Sequence, residues 1–344
     1  MPITVESAVH ATPVADLRER RTQRGSIRDR GKRIEIGLVN NMPDAAVAAT
    51  ERQFAGLVEE ASGEFDVRLR LFTLETLPRA PEARRAMAPA YRPAKALKSR
   101  PHDALIVTGA EPRASELAQE PYWSELAFVL DWAEAQTLST LLSCLAAHAA
   151  VWRRDGVMRR RLASKRSGVF PVRALVGHDL LAGLETPYLT PHSRYNDLDE
   201  AELVANGYAI LARSAESGVD LFIKEGDSLL VFLQGHPEYD ADTLAREYRR
   251  DMLRFLRGET LAGPRLPEHY FSAPAAAALR DFAAKAAAAR DPATAEGFPS
   301  EALTFGRAPW RQGAVRLFGN WLSTVAHRKA VRNATSFAVA RWGG

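Results

Sequence analysis

One cysteine, Cys144, is all that a chain of 344 residues contains. A lone thiol forms no intramolecular disulfide and no multi-cysteine metal site, so stapling is excluded and a reducing cytoplasm is the expected compartment. Long apolar runs are missing too, and none approaches the roughly 20 residues that a membrane-spanning helix needs. The first twenty residues carry acids and arginines and no apolar stretch, so no secretory signal is expected. Nor does one sign of charge dominate. Lys and Arg total 46 against 42 Asp and Glu, a net +4 without a continuous basic stripe, and composition gives no reason to expect nucleic acid. There is no Gly-x-x-x-x-Gly-Lys phosphate loop and no metal-spaced His/Asp cluster. What is there, 46% hydrophobic and 26% charged residues, excludes a disordered or fibrous chain and suits a globular protein with a large core.

The pattern divides the chain into three. Residues 1–33 read as a basic lead-in, a solvated arm with arginines at 18, 20, 21, 24, 28, 30 and 33. Residues 34–262 read as an α/β catalytic domain, and 263–344 as a mainly helical extension packing on it. Strands are expected at 33–40, 64–72, 103–108 and 137–142, with helices at 45–62, 122–135 and 145–154. Strand, helix, strand, helix with short links predicts a mostly parallel sheet with helices on both faces. Later strands are expected at 169–175, 208–213, 220–224 and 229–234, and helices at 243–256, 275–290 and 315–326. Residues 76–101 hold five prolines and many basic residues, and read as a long surface loop folding over a site. Ligands of such sheets bind beyond the carboxyl ends of the strands. Gly109, Cys144 and His236 all fall at such ends and are expected to share one rim.

Leu138-Ser-Thr-Leu-Leu-Ser-Cys144 followed by Leu145-Ala-Ala-His148 reads as a strand, a tight turn and a helix. A thiol at that turn projects from the sheet edge, and the helix aims free N–H groups and its positive dipole end at the sulfur, which favours thiolate. This is a nucleophile elbow with sulfur in place of oxygen. A free cysteine is otherwise most often a small buried hydrophobe, and local pattern alone leaves both readings open. The second strand-to-turn site is Gln234-Gly-His236-Pro-Glu238. His236 can move a proton between the sulfur and a substrate hydroxyl, while Glu238 holds the imidazole in the needed tautomer. Either segment alone is a weak signal; together, in this order, they specify far more.

The chain resembles the homoserine O-acyltransferases of the homoserine O-succinyltransferase type. The resemblance is carried by Asn41-Met-Pro with Thr50-Glu-Arg-Gln-Phe54, Ala104-Leu-Ile-Val-Thr-Gly-Ala110, Tyr122-Trp123, Ser139-Thr-Leu-Leu-Ser-Cys144 and Lys165-Arg-Ser-Gly-Val-Phe170. It continues through Pro191-His-Ser-Arg-Tyr195, Gly235-His-Pro-Glu-Tyr-Asp240, Tyr248-Arg-Arg-Asp251, Trp310-Arg311 and Asn320-Trp-Leu322. It implies a flavodoxin-like, class I glutamine amidotransferase-like fold and a ping-pong mechanism in which Cys144 takes a succinyl group from succinyl-CoA. His236, oriented by Glu238, then activates the L-homoserine hydroxyl, as a step in methionine biosynthesis. Backbone N–H groups of Gly109, Ala110 and Leu145 would hold the oxyanion. Lys165, Ser193 and Arg250 fall at substrate-pocket positions, and Arg194 is added as their neighbour, since a carboxylate suits an arginine fork. Thr50 and Glu51 match as well, and read as helix caps. The resemblance implies no cofactor beyond the co-substrate acyl-CoA, no metal, no nucleic-acid or membrane partner, and a homodimer.

Departures are informative. Leu145 replaces an aromatic residue, and His148, one helical turn past Cys144, is expected to serve packing. In the segment Thr108-Gly-Ala-Glu-Pro-Arg113, Arg113 takes the place associated with acyl-donor choice, and a cation there would attract the free carboxylate of a succinyl group. Arg159, Arg160 and Arg161 read as a solvated basic face, with CoA phosphates as the alternative. Three other activities compete: a homoserine O-acetyltransferase using acetyl-CoA, a glutamine amidotransferase or amidohydrolase, and a binding protein that kept the fold. Retention of Cys144, His236 and Glu238 argues against the last. The absence of glycines flanking Cys144 argues against the amidotransferase.

Overall fold

The computed structural model describes residues 4–5, 32–303 and 306–342; apart from Thr4, Val5, Lys32 and Arg33, the basic lead-in lies outside the described residues. The strands are β1 (Thr4–Val5), β2 (Arg33–Val39), β3 (Asp66–Thr73), β4 (Tyr91–Pro93), β5 (Ala104–Val107), β6 (Ser139–Ser143), β7 (Arg160–Ala174), β8 (Tyr188–Asp197), β9 (Ala209–Ser214), β10 (Gly218–Lys224) and β11 (Leu229–Leu233). They form one sheet in the order β1-β3-β2-β5-β6-β11-β10-β9-β7-β8, with β4 added beside β3. From β1 to β11 the neighbours are parallel; β11, β10, β9, β7 and β8 continue it as an antiparallel wing. The α/β fold with a mostly parallel sheet is therefore as expected, and the wing is the addition.

The helices are α1 (Asp44–Ala61), α2 (Pro81–Met87), α3 (Trp123–Gln136), α4 (Leu145–Asp155), α5 (Glu200–Ala205), α6 (Thr243–Leu256), α7 (Ala273–Ala289) and α8 (Arg311–Trp342). Central parallel strands are covered on both faces, which is why β5 and β11 are apolar throughout. Alternation along β2 and β5 sorts their side chains. Ile34, Ile36, Leu38 and Ile106 join Phe54 and Leu57 of α1 and Phe318 and Trp321 of α8 in one core. Val39, Leu105 and Val107 join Leu126 and Val129 of α3 and Ala147 and Val151 of α4 in the other. The C-terminal helix is thus part of the sheet's covering: Trp321 is 1% exposed and its Nε1 donates to Ser139 Oγ at 2.9 Å, on the strand that leads to Cys144.

Two expectations fail. Residues 76–101 are not a loop. They form α2, β4 and a 3-10 turn at Ala94–Ser99, because Met87, Tyr91, Ala94 and Leu97 are buried and Pro81 opens a helix whose first N–H has no partner to lose. Thr50 and Glu51 are not caps. They lie inside α1, where Thr50 is buried and Glu51 accepts a hydrogen bond from Tyr91 Oη at 3.0 Å.

Candidate active site

Adjacent parallel strands β5, β6 and β11 deliver the three rim residues to one edge of the sheet. Cys144 follows β6 directly, and α4 begins at the next residue. Its backbone has φ 52° and ψ −113°, an unusual conformation for a residue with a side chain. Cys144 N donates to Leu233 O at 2.7 Å, which fixes the elbow to β11. The N–H of Leu145, first in its helix, has no intrahelical acceptor. Gly109 lies against this turn: a Cβ there would stand 3.3 Å from Leu145 N and 3.5 Å from the Cys144 Cβ. The bare backbone at Gly109 leaves open a space flanked by the elbow. The cysteine is half-buried, neither sealed in the core nor free on the surface.

His236 is 6% exposed, and its backbone N donates to Pro191 O at 2.7 Å, so the antiparallel wing holds the turn that carries it. Its Nδ1 lies 2.8 Å from Glu238 Oε1, and its ring stacks on Tyr239 with centroids 4.3 Å apart. Burial alone would push the imidazole pKa down. The charges of Glu238 and Cys144, with hydrogen bonds to both, outweigh it and hold the pKa well above the usual 6.5. Gly235 makes the turn possible, because a Cβ there would lie 2.3 Å from Thr190 Cγ2 and 2.6 Å from Asp220 Oδ1. The sulfur, the imidazole and the carboxylate expected from sequence are therefore assembled.

Beside them is a charged cluster centred on a residue that sequence reasoning did not single out. Glu247, on α6, accepts from Lys165 Nζ at 3.1 Å, from Tyr239 Oη at 2.7 Å and from Ser193 Oγ. Burial raises its carboxyl, but Lys165, Ser193, Arg250 and Tyr239 overcome this and bring the pKa to about 2. Lys165 also donates to Asp251 Oδ2 at 2.9 Å, and Asp251 Oδ1 receives Arg250 Nε at 2.9 Å and Nη2 at 2.8 Å. Tyr239 joins the two groups, stacking on His236 while its hydroxyl holds Glu247. The readable signal was the spacing of Glu247 and Asp251, four apart on one helical face; what sequence could not supply was the partner on β7.

Arg194 is turned inward, contrary to its expected role. It is 3% exposed; Nε donates to His192 Nδ1 at 3.4 Å, Nη1 to Asn196 O at 2.7 Å, and Nη2 to Ser217 O, with Asp197 Oδ1 2.8 Å from Nη1. A guanidinium so occupied has no free fork for a substrate carboxylate. Its place beside the acid Asp197, near a bulged sheet edge, is what captured it. His148 is also spoken for. Its Nε2 is 2.9 Å from Gln234 Oε1, and burial pushes its pKa down to about 4, so it is neutral packing that braces β11 against α4.

Of the basic run, Arg160 pairs with Asp199 and Glu202, each at 2.7 Å, Arg161 lies over the Tyr195 ring, and Arg159 Nη2 donates to Ser115 O at 3.2 Å. Arg113 is exposed and lines a cavity of about 200 Å³ with Glu111 and Arg254. Among the described residues, no helix is long and apolar enough to cross a membrane.

A family model described as HTS: Homoserine O-succinyltransferase matches residues 3–331. A homoserine O-succinyltransferase of Methylorubrum extorquens (strain DSM 6343 / CIP 106787 / DM4) is 51% identical over 301 residues, covering 87% of this chain and 89% of the relative. One from Rhodopseudomonas palustris is 50% identical over 294 residues, covering 85% and 88%. One from Bradyrhizobium japonicum is 46% identical over 295 residues, covering 85% and 90%. Among solved structures, a glutamine amido transferase from Methylobacillus Flagellatus is 14% identical with a TM-score of 0.46, covering 85% of this chain and 95% of that one.

Proposed function

The chain belongs to the homoserine O-succinyltransferase family, and from that premise we propose how its residues divide the reaction. The activity is transfer of a succinyl group to homoserine, in methionine biosynthesis. The donor in this reading is succinyl-CoA. The Cys144 thiolate attacks the thioester carbonyl carbon, and the oxyanion that forms is held by backbone N–H groups of Leu145 and of Gly109 or Ala110. Each such donor is typically worth about 3 kcal/mol of barrier. Collapse breaks the bond to the CoA sulfur, which leaves with the proton of the His236 imidazolium, and the succinyl group stays on Cys144. The sulfur is now uncharged, so the imidazole is neutral and ready to act as base. It takes the homoserine hydroxyl proton as that oxygen attacks the succinyl carbonyl. The second collapse returns the thiolate and the imidazolium and releases O-succinylhomoserine.

The observation that carries this division of roles is the Glu238–His236 pair beside Cys144 at the end of the central strands. Homoserine brings an ammonium and a carboxylate. The reading gives the ammonium to the acidic side of the Glu247 cluster and the carboxylate to Arg250, whose side chain is 42% exposed although Asp251 grips one edge. Lys165 and Ser193 shape that pocket through Glu247. Arg113 would attract the free carboxylate of succinyl and so favour it over acetyl. Residues 34–262 with the extension from 263 act as one catalytic unit in this reading, working in the cytoplasm as a homodimer.

A donor-by-acceptor grid tests the reading, with product masses recorded for succinyl-CoA, acetyl-CoA and glutamine against homoserine and related amino alcohols. O-succinylhomoserine as the main product, lost in Cys144→Ser, supports it. Glutaminase activity, or turnover that survives Cys144→Ser, contradicts it.

A further inference from the structure

The stretch after β5 carries two proposed oxyanion donors and the proposed donor-selecting cation, yet residues 108–113 have no regular secondary structure. A guanidinium on an irregular stretch keeps one position only if something else holds its backbone. Glu120 provides that hold. Its Oε1 accepts from Arg113 N at 2.5 Å and from Ala114 N at 2.6 Å, and the residue is 4% exposed. Two consecutive amides aimed at one buried carboxylate oxygen are charge-assisted bonds, stronger than neutral ones. The other oxygen, Oε2, has no hydrogen-bond partner, so this carboxylate spends its hydrogen bonding on the loop.

Arg159 holds the next residue from the carbonyl side, through Ser115 O, and its charge interacts with that of Glu120. On the outside, Arg254 Nη1 donates to Glu111 Oε1 at 2.9 Å and ties the same stretch to α6, the helix of Glu247 and Arg250. Glu111, Arg113, Glu120, Tyr122 and Arg254 line one cavity of about 200 Å³, so its shape depends on the clasp. We infer that Glu120 is a positioning residue for acyl-donor choice: it touches neither substrate nor reacting atoms, and it fixes where Arg113 stands relative to Gly109 and Ala110. The inference rests on the reading of Arg113 given above.

The test compares kcat/KM for succinyl-CoA and acetyl-CoA, at saturating homoserine, in wild type, Glu120→Ala, Glu120→Gln, Arg113→Ala and the Arg113→Ala/Glu120→Ala double variant. Glu120→Ala is expected to lower the succinyl-to-acetyl ratio about tenfold, the equivalent of one charge-assisted hydrogen bond. Glu120→Gln, which keeps an accepting oxygen, stays within about threefold of wild type. In the double variant the ratio matches that of Arg113→Ala alone, because the two residues act through one another. KM for homoserine moves less than about twofold in Glu120→Ala, since the acceptor pocket lies on α6 and the wing. A general loosening would depress both donors and the acceptor alike and leave the ratio unchanged, and that result overturns the inference. If Arg113→Ala leaves the ratio unchanged, the reading of Arg113 and the inference fall together. If Arg113→Ala lowers it and Glu120→Ala does not, only the inference falls. Should Glu120→Ala not fold, Glu120→Asp, which withdraws the carboxylate by one methylene, carries the test with the same expected direction.

Discussion

Cys144 occupies a backbone conformation, φ 52°, that costs a residue with a side chain roughly 1–3 kcal/mol. The cost is tolerated because the turn lifts the sulfur off the sheet edge. Cys144→Gly should therefore be inactive yet more stable than the equally inactive Cys144→Ala, by roughly 1 kcal/mol in urea unfolding. Equal stability of the two would mean that the elbow is unstrained. A second consequence concerns charge. Because Glu238 is a main cause of the raised His236 pKa, Glu238→Gln should lower that pKa, as read by imidazole NMR titration. A histidine raised in the folded state stabilises the fold fully below its unfolded value and loses that contribution as pH climbs through the raised value. The variant should therefore lose stability most below about pH 6.5 and least above the wild-type imidazole pKa. An unchanged titration would remove Glu238 from its orienting role. Both residues were legible in sequence because their signals are local: a strand that stops at a cysteine before a helix, and a histidine two positions from a carboxylate.

Elements were legible where burial on both faces leaves a run of apolar residues, as in β5 and β11. The strand β8 was missed for the opposite reason. Pro191-His-Ser-Arg194 shows no apolar run, yet it lies in a strand whose polar side chains are satisfied by tertiary partners such as Asp220, Glu247 and Ser217. Propensity could not reveal this, since the partners come from distant segments. The same element explains why the turn after β11 must hold a glycine, Gly235. Gly235→Ala would push a methyl group into Thr190 and Asp220 and displace the turn carrying His236. We expect a loss of about 1–3 kcal/mol in stability and a fall in kcat, measured by unfolding and steady-state rates. Wild-type activity in this variant would show that the turn is not held against β8.

At the scale of the molecule, the site depends on contacts that close late in the chain. Trp321 fills the core beneath β6 and bonds Ser139, five residues before the nucleophile. Trp321→Ala should destabilise the protein by about 3–5 kcal/mol in urea unfolding. A cost under about 1 kcal/mol would show α8 to be peripheral to the core. The Glu247 cluster is the corresponding case for the site. Its members come from β7, β8, the turn after β11 and α6, and no window of sequence contains them together. Whether Cys144 carries the succinyl group between donor and acceptor is decided by intact-protein mass spectrometry on enzyme mixed with succinyl-CoA alone. The expected result is a mass gain of one succinyl group, mapped to the peptide holding Cys144 and discharged when L-homoserine is added. Product formation by an enzyme that never gains this mass, or that gains it on another residue, would contradict it.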